Sequence, residues 1–235
     1  MSLFSLHGAL GHPGDWSLLA ESLPLRPVAL MTHRPVSFRS WAKEFANDPE
    51  VRADPCPTLL GYSMGARLAL HTLLEKSNPW KAAVLLAPHP GLETEKERRE
   101  RRLRDSVWAE KLKNQPAAEF SRAWNAQAVF RNSTAQDQDR PPHPNHRRCF
   151  AEWSLGSQEN LVPQLERITI PILWLTGSAD PIFTRIAQAS INSLPNGQHR
   201  ILQGCGHRIP FEKPDLVAEE ITTFLNNAVG PSWSS

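Results

Sequence analysis

The stretch TLLGYSMGARLALH, residues 58–71, decides the fold of this chain. An apolar run enters a turn in which Gly61 and Gly65 flank Ser63, and a helix-like pattern follows. This is the G-x-S-x-G motif in the strand–turn–helix context that a nucleophile elbow requires. Such a turn would project the serine hydroxyl above the edge of a sheet. The alternative is a plain strand–helix turn that happens to contain a serine, and the rest of the chain decides between the two.

Length and charge limit the class of protein. The chain has 235 residues, enough for one large α/β domain or for one domain with an insertion. Charged residues make up 21% and hydrophobic residues 40%, which is ordinary for a globular protein. A net charge of +2 does not suggest a nucleic-acid-binding protein. No pattern in the chain indicates an oligomeric state.

The cysteines and the N-terminus bear on the compartment. Cys56, Cys149 and Cys205 are odd in number and widely spaced, which disfavours a disulfide framework or a zinc site. The first residues lack a basic region and their apolar run is broken by His7, so a signal peptide is not expected. No apolar run approaches the ~20 residues of a transmembrane helix. The sequence therefore predicts a cytoplasmic protein with no metal or other cofactor.

Short apolar runs alternate with helical patterns over most of the chain. The predicted strands are residues 3–6, 27–31, 58–60, 81–87, 170–175 and 199–202. The predicted helices among them are residues 15–23, 37–45, 64–76, 184–193 and 214–226. Short connections between alternating strands and helices favour a mostly parallel, doubly wound sheet.

The pattern changes after Pro88. Residues 93–104 form a charged run rich in arginine that continues as one helix to Leu112, and most of its arginines are expected on a solvated face. Helical patterns follow at 120–130 and 152–165, with a loop at 137–148 between them. We therefore expect a core of residues 1–88 and 166–235 and a helical cap insertion of residues 89–165, lying over the strand ends.

Three polar residues follow predicted strands in an order that indicates a catalytic site. Ser63 lies in the elbow, Asp180 follows the fifth strand, and His207 follows the last. Ser, then Asp, then His is the chain order of the α/β-hydrolase triad. A neutral histidine can accept the serine proton, and a carboxylate can fix that histidine. Singly, Asp180 could cap the next helix and His207 could be a loop residue, but together they predict a catalytic triad.

The first strand ends in His7-Gly8-Ala9. A His-Gly turn at this place can form half of an oxyanion hole, with the backbone N–H groups of Ala9 and Met64 as donors. A glycine turn beside a core histidine is the alternative.

These motifs have a counterpart in a known family. The whole chain resembles the α/β-hydrolase superfamily and, within it, the family of 2-succinyl-6-hydroxy-2,4-cyclohexadiene-1-carboxylate synthases of menaquinone biosynthesis. The matching segments are residues 6–8 with 15–16, 61–67, 89–92 with the arginine-rich helix, 124 with 129–130, and 206–207 with 212 and 214. The HPGL segment, residues 89–92, is the most specific of them.

The resemblance implies a lyase that eliminates pyruvate from a cyclohexene intermediate, with the activated serine as base. The implied substrate carries several carboxylates, which arginines bind well. The substrate-binding residues carried over by position are Arg67, Arg101, Trp124, Tyr62 and His7. A third family arginine has no clean match, and Arg147 or Arg148 could replace it.

Some features depart from the family. Residues 32–35, Thr-His-Arg-Pro, stand where the family has an acidic residue and a Pro-Gly-His-Gly turn, and the usual strands before the His-Gly strand are not expected. Two other functions remain open. One is a carboxylic-ester or thioester hydrolase that forms an acyl-serine, and the other is a hydrolase-fold binding protein without catalysis. An apolar pocket above Ser63 would favour the ester hydrolase, whereas arginines there would favour the lyase.

Overall fold

The structure is a computed structural model that describes residues 2–32, 35–134 and 142–230. Six parallel strands form one sheet within these residues, in the order β2-β1-β3-β4-β5-β6. They are β1 (Leu3–Leu6), β2 (Leu25–Pro27), β3 (Thr58–Tyr62), β4 (Ala82–Leu86), β5 (Ile172–Gly177) and β6 (Gly197–Leu202). The parallel α/β sheet predicted from the sequence is confirmed.

Helices cover both faces of this sheet. Their bounds are α1 (Ser17–Ala20), α2 (Phe38–Ala46), α3 (Pro49–Ala53), α4 (Met64–Leu73), α5 (Glu95–Asn114), α6 (Ala117–Asn125), α7 (His146–Glu152), α8 (Pro181–Ser190), α9 (Ile209–Glu212) and α10 (Pro214–Val229). Successive strand residues alternate between faces, so Leu59 packs with α2 and α4 whereas Leu60 packs with α1 and α10. The result is the doubly wound arrangement, with its core on both sides of the sheet.

Two elements predicted from the sequence differ from the structure. The strand predicted at 27–31 is instead β2, which ends at Pro27, and Leu30 and Met31 are buried in turns that follow it. The helix predicted at 152–165 is not continuous, since α7 ends at Glu152 and only a 3₁₀ helix, Val162–Arg167, overlaps the end of the predicted range. Apolar runs reveal burial but not backbone conformation, which explains the first error. Residues 137–141 of the predicted loop, residues 33 and 34, and the tail after 230 lie outside the described residues.

The segment between β4 and β5 is helical. No strand lies in its described part, and its regular elements there are α5, α6, α7 and two short 3₁₀ helices, Ala128–Phe130 and Val162–Arg167. Thr94 and Glu97 form a reciprocal capping box that starts α5. Aromatic side chains of this segment, Phe120, Trp124 and Phe150, pack together against Ala9 and Leu10 of the core. This contact places the helical segment over the carboxyl end of β1.

The elbow is shaped by two close backbone approaches. Ser63 has φ 49° and ψ −106°, a left-handed conformation that a non-glycine residue seldom adopts. A Cβ on Gly61 would lie 2.6 Å from Ala66 Cα, and one on Gly65 would overlap the Leu6 carbonyl oxygen. Both glycines are therefore required, because the first turn of α4 lies directly against β1 at Gly65 and against the end of β3 at Gly61.

None of the helices in residues 2–32, 35–134 and 142–230 is both long and apolar enough to cross a membrane.

A side chain at Gly65 should be costly. We expect Gly65→Ala to lower the free energy of unfolding by about 3 kcal/mol, because the Leu6 and His7 carbonyls are backbone groups that cannot turn aside. Urea denaturation measures the difference. Gly204→Ala is the control, since Gly204 has φ +67° but no atom near its missing Cβ, so only the left-handed penalty of about 1–2 kcal/mol applies. Equal stability of the two variants would contradict this account of the elbow.

Candidate active site

Ser63, His207 and Asp180 form a hydrogen-bonded chain at the carboxyl edge of the sheet. Ser63 Oγ lies 3.1 Å from His207 Nε2, and His207 Nδ1 lies 2.7 Å from Asp180 Oδ2. The three residues follow β3, β6 and β5 respectively. Since Asp180 can only accept from Nδ1–H, Nε2 is left to accept the serine proton. The geometry allows one proton to pass from Ser63 to His207 while Asp180 holds the imidazole in place.

Asp180 makes both of the contacts that the sequence left as alternatives. Its Oδ1 accepts from the Phe183 N–H at 3.2 Å, which caps α8, while Oδ2 holds His207. Asp180 and His207 are almost completely buried. A carboxylate fixed by a helix cap has little freedom to rotate away from the imidazole.

The loop that carries His207 is held from two sides. Ser133 Oγ accepts from the backbone N–H groups of His207 at 2.8 Å and Arg208 at 3.2 Å. Glu212 accepts from the Gly206 N–H at 2.7 Å. Asn132, beside Ser133, donates from its amide to the carbonyl of Ala179 at 3.0 Å. The helical segment thus anchors the loops of both Asp180 and His207.

A cavity of about 560 Å³ opens above Ser63. Its wall includes most of the predicted site residues, namely Ala9, Tyr62, Met64, Arg67, Arg101, Trp124 and His207. The structure therefore brings these separate segments into one pocket.

Ala9 and Met64 lie on the wall where backbone donors are expected. Met64 is the first residue of α4, and its N–H has no acceptor within the helix. The amino end of a helix also favours developing negative charge. This arrangement can stabilise an oxyanion near Ser63.

Arg67 is a buried cation at the cavity wall. Its guanidinium donates to the Trp153 carbonyl at 2.9 Å and to Gln158 Oε1 at 3.3 Å, and it lies 5.3 Å from the centre of the Phe38 ring. Burial, and then Arg101, lower the pKa of Arg67 to about 9, so it is still charged at pH 7. Arg67 therefore joins the helical segment to the core as well as placing positive charge in the pocket.

Two arginines of α5 face the same cavity. Arg101 donates through Nε to both carboxylate oxygens of Asp105, at 2.9 and 3.0 Å, and Asp105 is also bonded to Ser154. This contact orients Arg101 and leaves its two terminal nitrogens available. Arg104 is exposed and bonds to no group in the described part of the chain. Together with Arg67 they give the pocket a strongly positive wall.

Three predicted binding residues do not reach the cavity wall. His7 is buried beneath it and donates from Nδ1 to the Gly8 carbonyl at 2.9 Å. Arg147 pairs with Glu110 on the surface, and Arg148 pairs with Glu152 and donates to the Pro35 carbonyl. Neither arginine is the third cation of the pocket. Arg104 and Arg208 line the cavity instead. The sequence did not predict Arg104 because α5 carries charge on every side, so its pattern does not show which face is turned to the pocket.

The cavity wall also contains residues that were not predicted as site residues from the sequence. Phe130 and Phe183 pack their rings against His207, with centroids 5.9 and 4.4 Å away. His89 and Arg208 also line the cavity. Two of them had a local signal, since His89 begins the HPGL segment and Phe130 lies in the matching segment 129–130. Within residues 2–32, 35–134 and 142–230, no three His, Cys, Asp or Glu side chains converge in a way that could hold a metal ion.

Comparison with known proteins agrees with this fold and site. Residues 43–214 match the protein-family model described as serine aminopeptidase, S33. The chain therefore belongs to this family of α/β-hydrolases.

Individual curated relatives indicate a narrower group within this family. The chain is 30% identical to 2-succinyl-6-hydroxy-2,4-cyclohexadiene-1-carboxylate synthase of Pectobacterium atrosepticum, over 97% of this chain and 94% of the relative. It is 28% identical to the synthase of the same name from Serratia proteamaculans, over 96% and 93%. A solved structure of MenH from S. aureus is 25% identical, with a TM-score of 0.89 over 97% and 94% of the two chains. The resemblance drawn from the motifs is confirmed.

Arg67 and Arg104 should differ sharply in their effect on stability. We expect Arg67→Ala to lower the free energy of unfolding by about 2–4 kcal/mol, because it leaves the Trp153 carbonyl without its donor and opens a void beside Phe38. Arg104→Ala, at an exposed and unbonded position, should change it by less than about 0.5 kcal/mol. Urea denaturation of both variants tests this, and equal losses would contradict the structural role of Arg67.

Proposed function

We propose that this chain is a carbon–oxygen lyase that eliminates pyruvate from a polycarboxylate cyclohexene intermediate, as in the synthase step of menaquinone biosynthesis. The observation that carries the proposal is one cavity that combines the Ser63–His207–Asp180 chain with Arg67, Arg101 and Arg104. Relatives of the same name over nearly the whole chain support it.

The serine acts as a base in this reaction. His207 Nε2 accepts the Ser63 proton, and the serine oxygen removes a proton from a ring carbon of the substrate. The electron pair of that C–H bond forms a ring double bond while the C–O bond to the pyruvyl group breaks. Pyruvate leaves as its enolate and takes up the proton held on His207. Asp180 stabilises the imidazolium in between, and no acyl-enzyme forms.

Backbone and aromatic groups complete the proposed machinery. The N–H groups of Ala9 and Met64 would bind the oxygen on which charge develops, and each such donor is typically worth about 3 kcal/mol of barrier. Phe130, Phe183 and Trp124 form apolar walls that exclude water from the reacting carbon.

The arginines set the substrate class. Arg101 and Arg104 can each offer two terminal nitrogens to a carboxylate, which is the bidentate contact that guanidinium groups favour. Arg67 adds charge from below with its terminal groups already bonded. A neutral short-chain ester would gain nothing from this wall, so the lyase is favoured over an ester hydrolase.

The segment 89–165 serves in this proposal as a cap on the core of 1–88 and 166–235. The hydrogen bonds of Asn132, Ser133 and Arg67 across this division support it. A cytoplasmic location is proposed as well, and it is supported by the free thiols of Cys56, Cys149 and Cys205.

Two parallel assays separate the candidate reactions. The purified protein is given the cyclohexene intermediate in a coupled pyruvate assay, and a fluorogenic short-chain ester in a second assay. We expect pyruvate release that falls by several orders of magnitude in Ser63→Ala, because members of the triad act as a unit. Ser106→Ala, an exposed serine on α5, is the matched control and should keep full activity. Rapid ester turnover with no pyruvate would overturn the proposal in favour of a hydrolase.

Arg104 should affect binding more than chemistry. We expect Arg104→Ala to raise KM about 5- to 100-fold, the loss of a charge-assisted hydrogen bond worth about 1–3 kcal/mol, with a smaller change in kcat. Arg99→Ala is the control, since Arg99 is exposed on the same helix but does not line the cavity. Steady-state kinetics with the cyclohexene substrate measures both variants. If both arginines changed KM equally, the effect would come from overall charge rather than from a substrate contact.

A further inference from the structure

His89 sits in a rigid turn that enters the cavity after β4. Its carbonyl accepts from the Gln158 side chain at 2.9 Å, and the next carbonyl, of Pro90, accepts from the Leu161 N–H at 2.7 Å. Gly91 has φ +121° and packs so tightly on Glu159 and Asn160 that a Cβ would overlap their backbone. The imidazole of His89 is therefore held on a fixed backbone at the cavity wall.

A backbone hydrogen bond selects the tautomer of this histidine. The Gly91 N–H donates to His89 Nδ1 at 3.1 Å, so Nδ1 must carry a lone pair. In the neutral ring the proton is then on Nε2. Nothing in the described part of the chain accepts a hydrogen bond from Nε2, and the ring is only partly buried. The one unused polar group of His89 is thus a donor in a ring that lines the cavity.

Burial and the nearby cations keep the His89 ring neutral. Burial, and then Arg67 and Arg101, lower the pKa of His89 to about 4, against a weaker opposing effect of Glu97. At neutral pH the ring is a hydrogen-bond donor without charge, placed near two cations. Its edge meets Phe183, 6.2 Å between centroids, and Phe183 in turn packs on His207. His89 is therefore part of the chamber in which Ser63 and His207 lie.

We propose that His89 is a further substrate-binding residue, whose Nε2–H donates to an oxygen of a substrate carboxylate that lies among Arg67, Arg101 and His89. A bidentate contact from the terminal nitrogens of Arg101 would fill two of the roughly four lone-pair sites of such a carboxylate, and Arg67 already spends one N–H of each terminal nitrogen on Trp153 and Gln158. A neutral donor adds a hydrogen bond without adding a third charge to repel Arg67 and Arg101. The identity of the substrate rests on the proposed function, but the donor and its tautomer do not.

Kinetics gives the first test. Replacing His89 by Leu removes the donor, and we expect KM for the cyclohexene substrate to rise about 5- to 100-fold, the range of one lost hydrogen bond to a charged group. His89→Gln keeps an N–H donor near the position of Nε2 and should recover much of this loss. Equal effects of Leu and Gln would contradict a donor role and assign His89 to the structure of the turn.

The deciding experiment needs no turnover. The full chain, labelled with ¹⁵N-histidine, is titrated at neutral pH with succinate, a simple dicarboxylate, and the imidazole nitrogens are followed by NMR. His89→Gln assigns the signals. We expect an unprotonated Nδ1 and a protonated Nε2 whose signal shifts with succinate, and no shift in Arg101→Met. His71 is the internal control, because it is buried on Phe38 away from the cavity and should not respond.

The outcomes separate this inference from the proposed function. If succinate leaves His89 unchanged, or if Nδ1 carries the proton, the inference is overturned even where pyruvate release is intact. If His89 responds but no pyruvate forms, the binding role stands and the lyase proposal falls.

Discussion

The site depends on how closely α4 approaches β1. At Gly65 the helix backbone lies against the Leu6 and His7 carbonyls, and at Gly61 the strand lies against Ala66, so neither position has space for a Cβ. This approach forces Ser63 into its left-handed conformation and starts α4 immediately after it. The serine hydroxyl, the free N–H of Met64 and the positive end of the helix are consequently aimed at one point. A looser turn would separate the Ser63 hydroxyl from the Met64 N–H.

Several links tie the helical segment to this point. Ser133 binds the backbone of the His207 loop, Asn132 binds the carbonyl next to Asp180, and Arg67 reaches from α4 to Trp153. The core supplies the reacting groups, but their loops are fixed in part by hydrogen bonds from outside the core. This explains why a segment without a triad member bears on the geometry of the triad.

The charged side chains of the pocket differ in their burial and in their hydrogen bonds. Arg67 is buried and bonded to Trp153, Arg101 is oriented by the buried Asp105, and Arg104 is exposed and has no bonded partner among the described residues. Burial lowers the pKa of both Arg67 and His89, but with opposite consequences, since the arginine stays charged while the histidine stays neutral. The positive wall made by Arg67, Arg101 and Arg104 suits the substrate with several carboxylates on which the proposed function rests.

The sequence by itself determined the elbow, β3 and β4, and the Ser–Asp–His order, because each depends on local apolar runs, glycine sterics or strand ends. It misplaced β2 and missed the irregular chain after α7, where the Trp153 indole donates to the distant Val36 carbonyl. Only the tertiary structure decided that Arg104 faces the pocket, since α5 has charge on every side. It also decided that Arg147 and Arg148 pair with Glu110 and Glu152 outside the pocket. The tautomer of His89 was likewise settled by a turn that brings Gly91 back onto its ring. Contacts between segments that are remote in the sequence determine which of several chemically similar side chains face the pocket. The local sequence pattern does not contain that information.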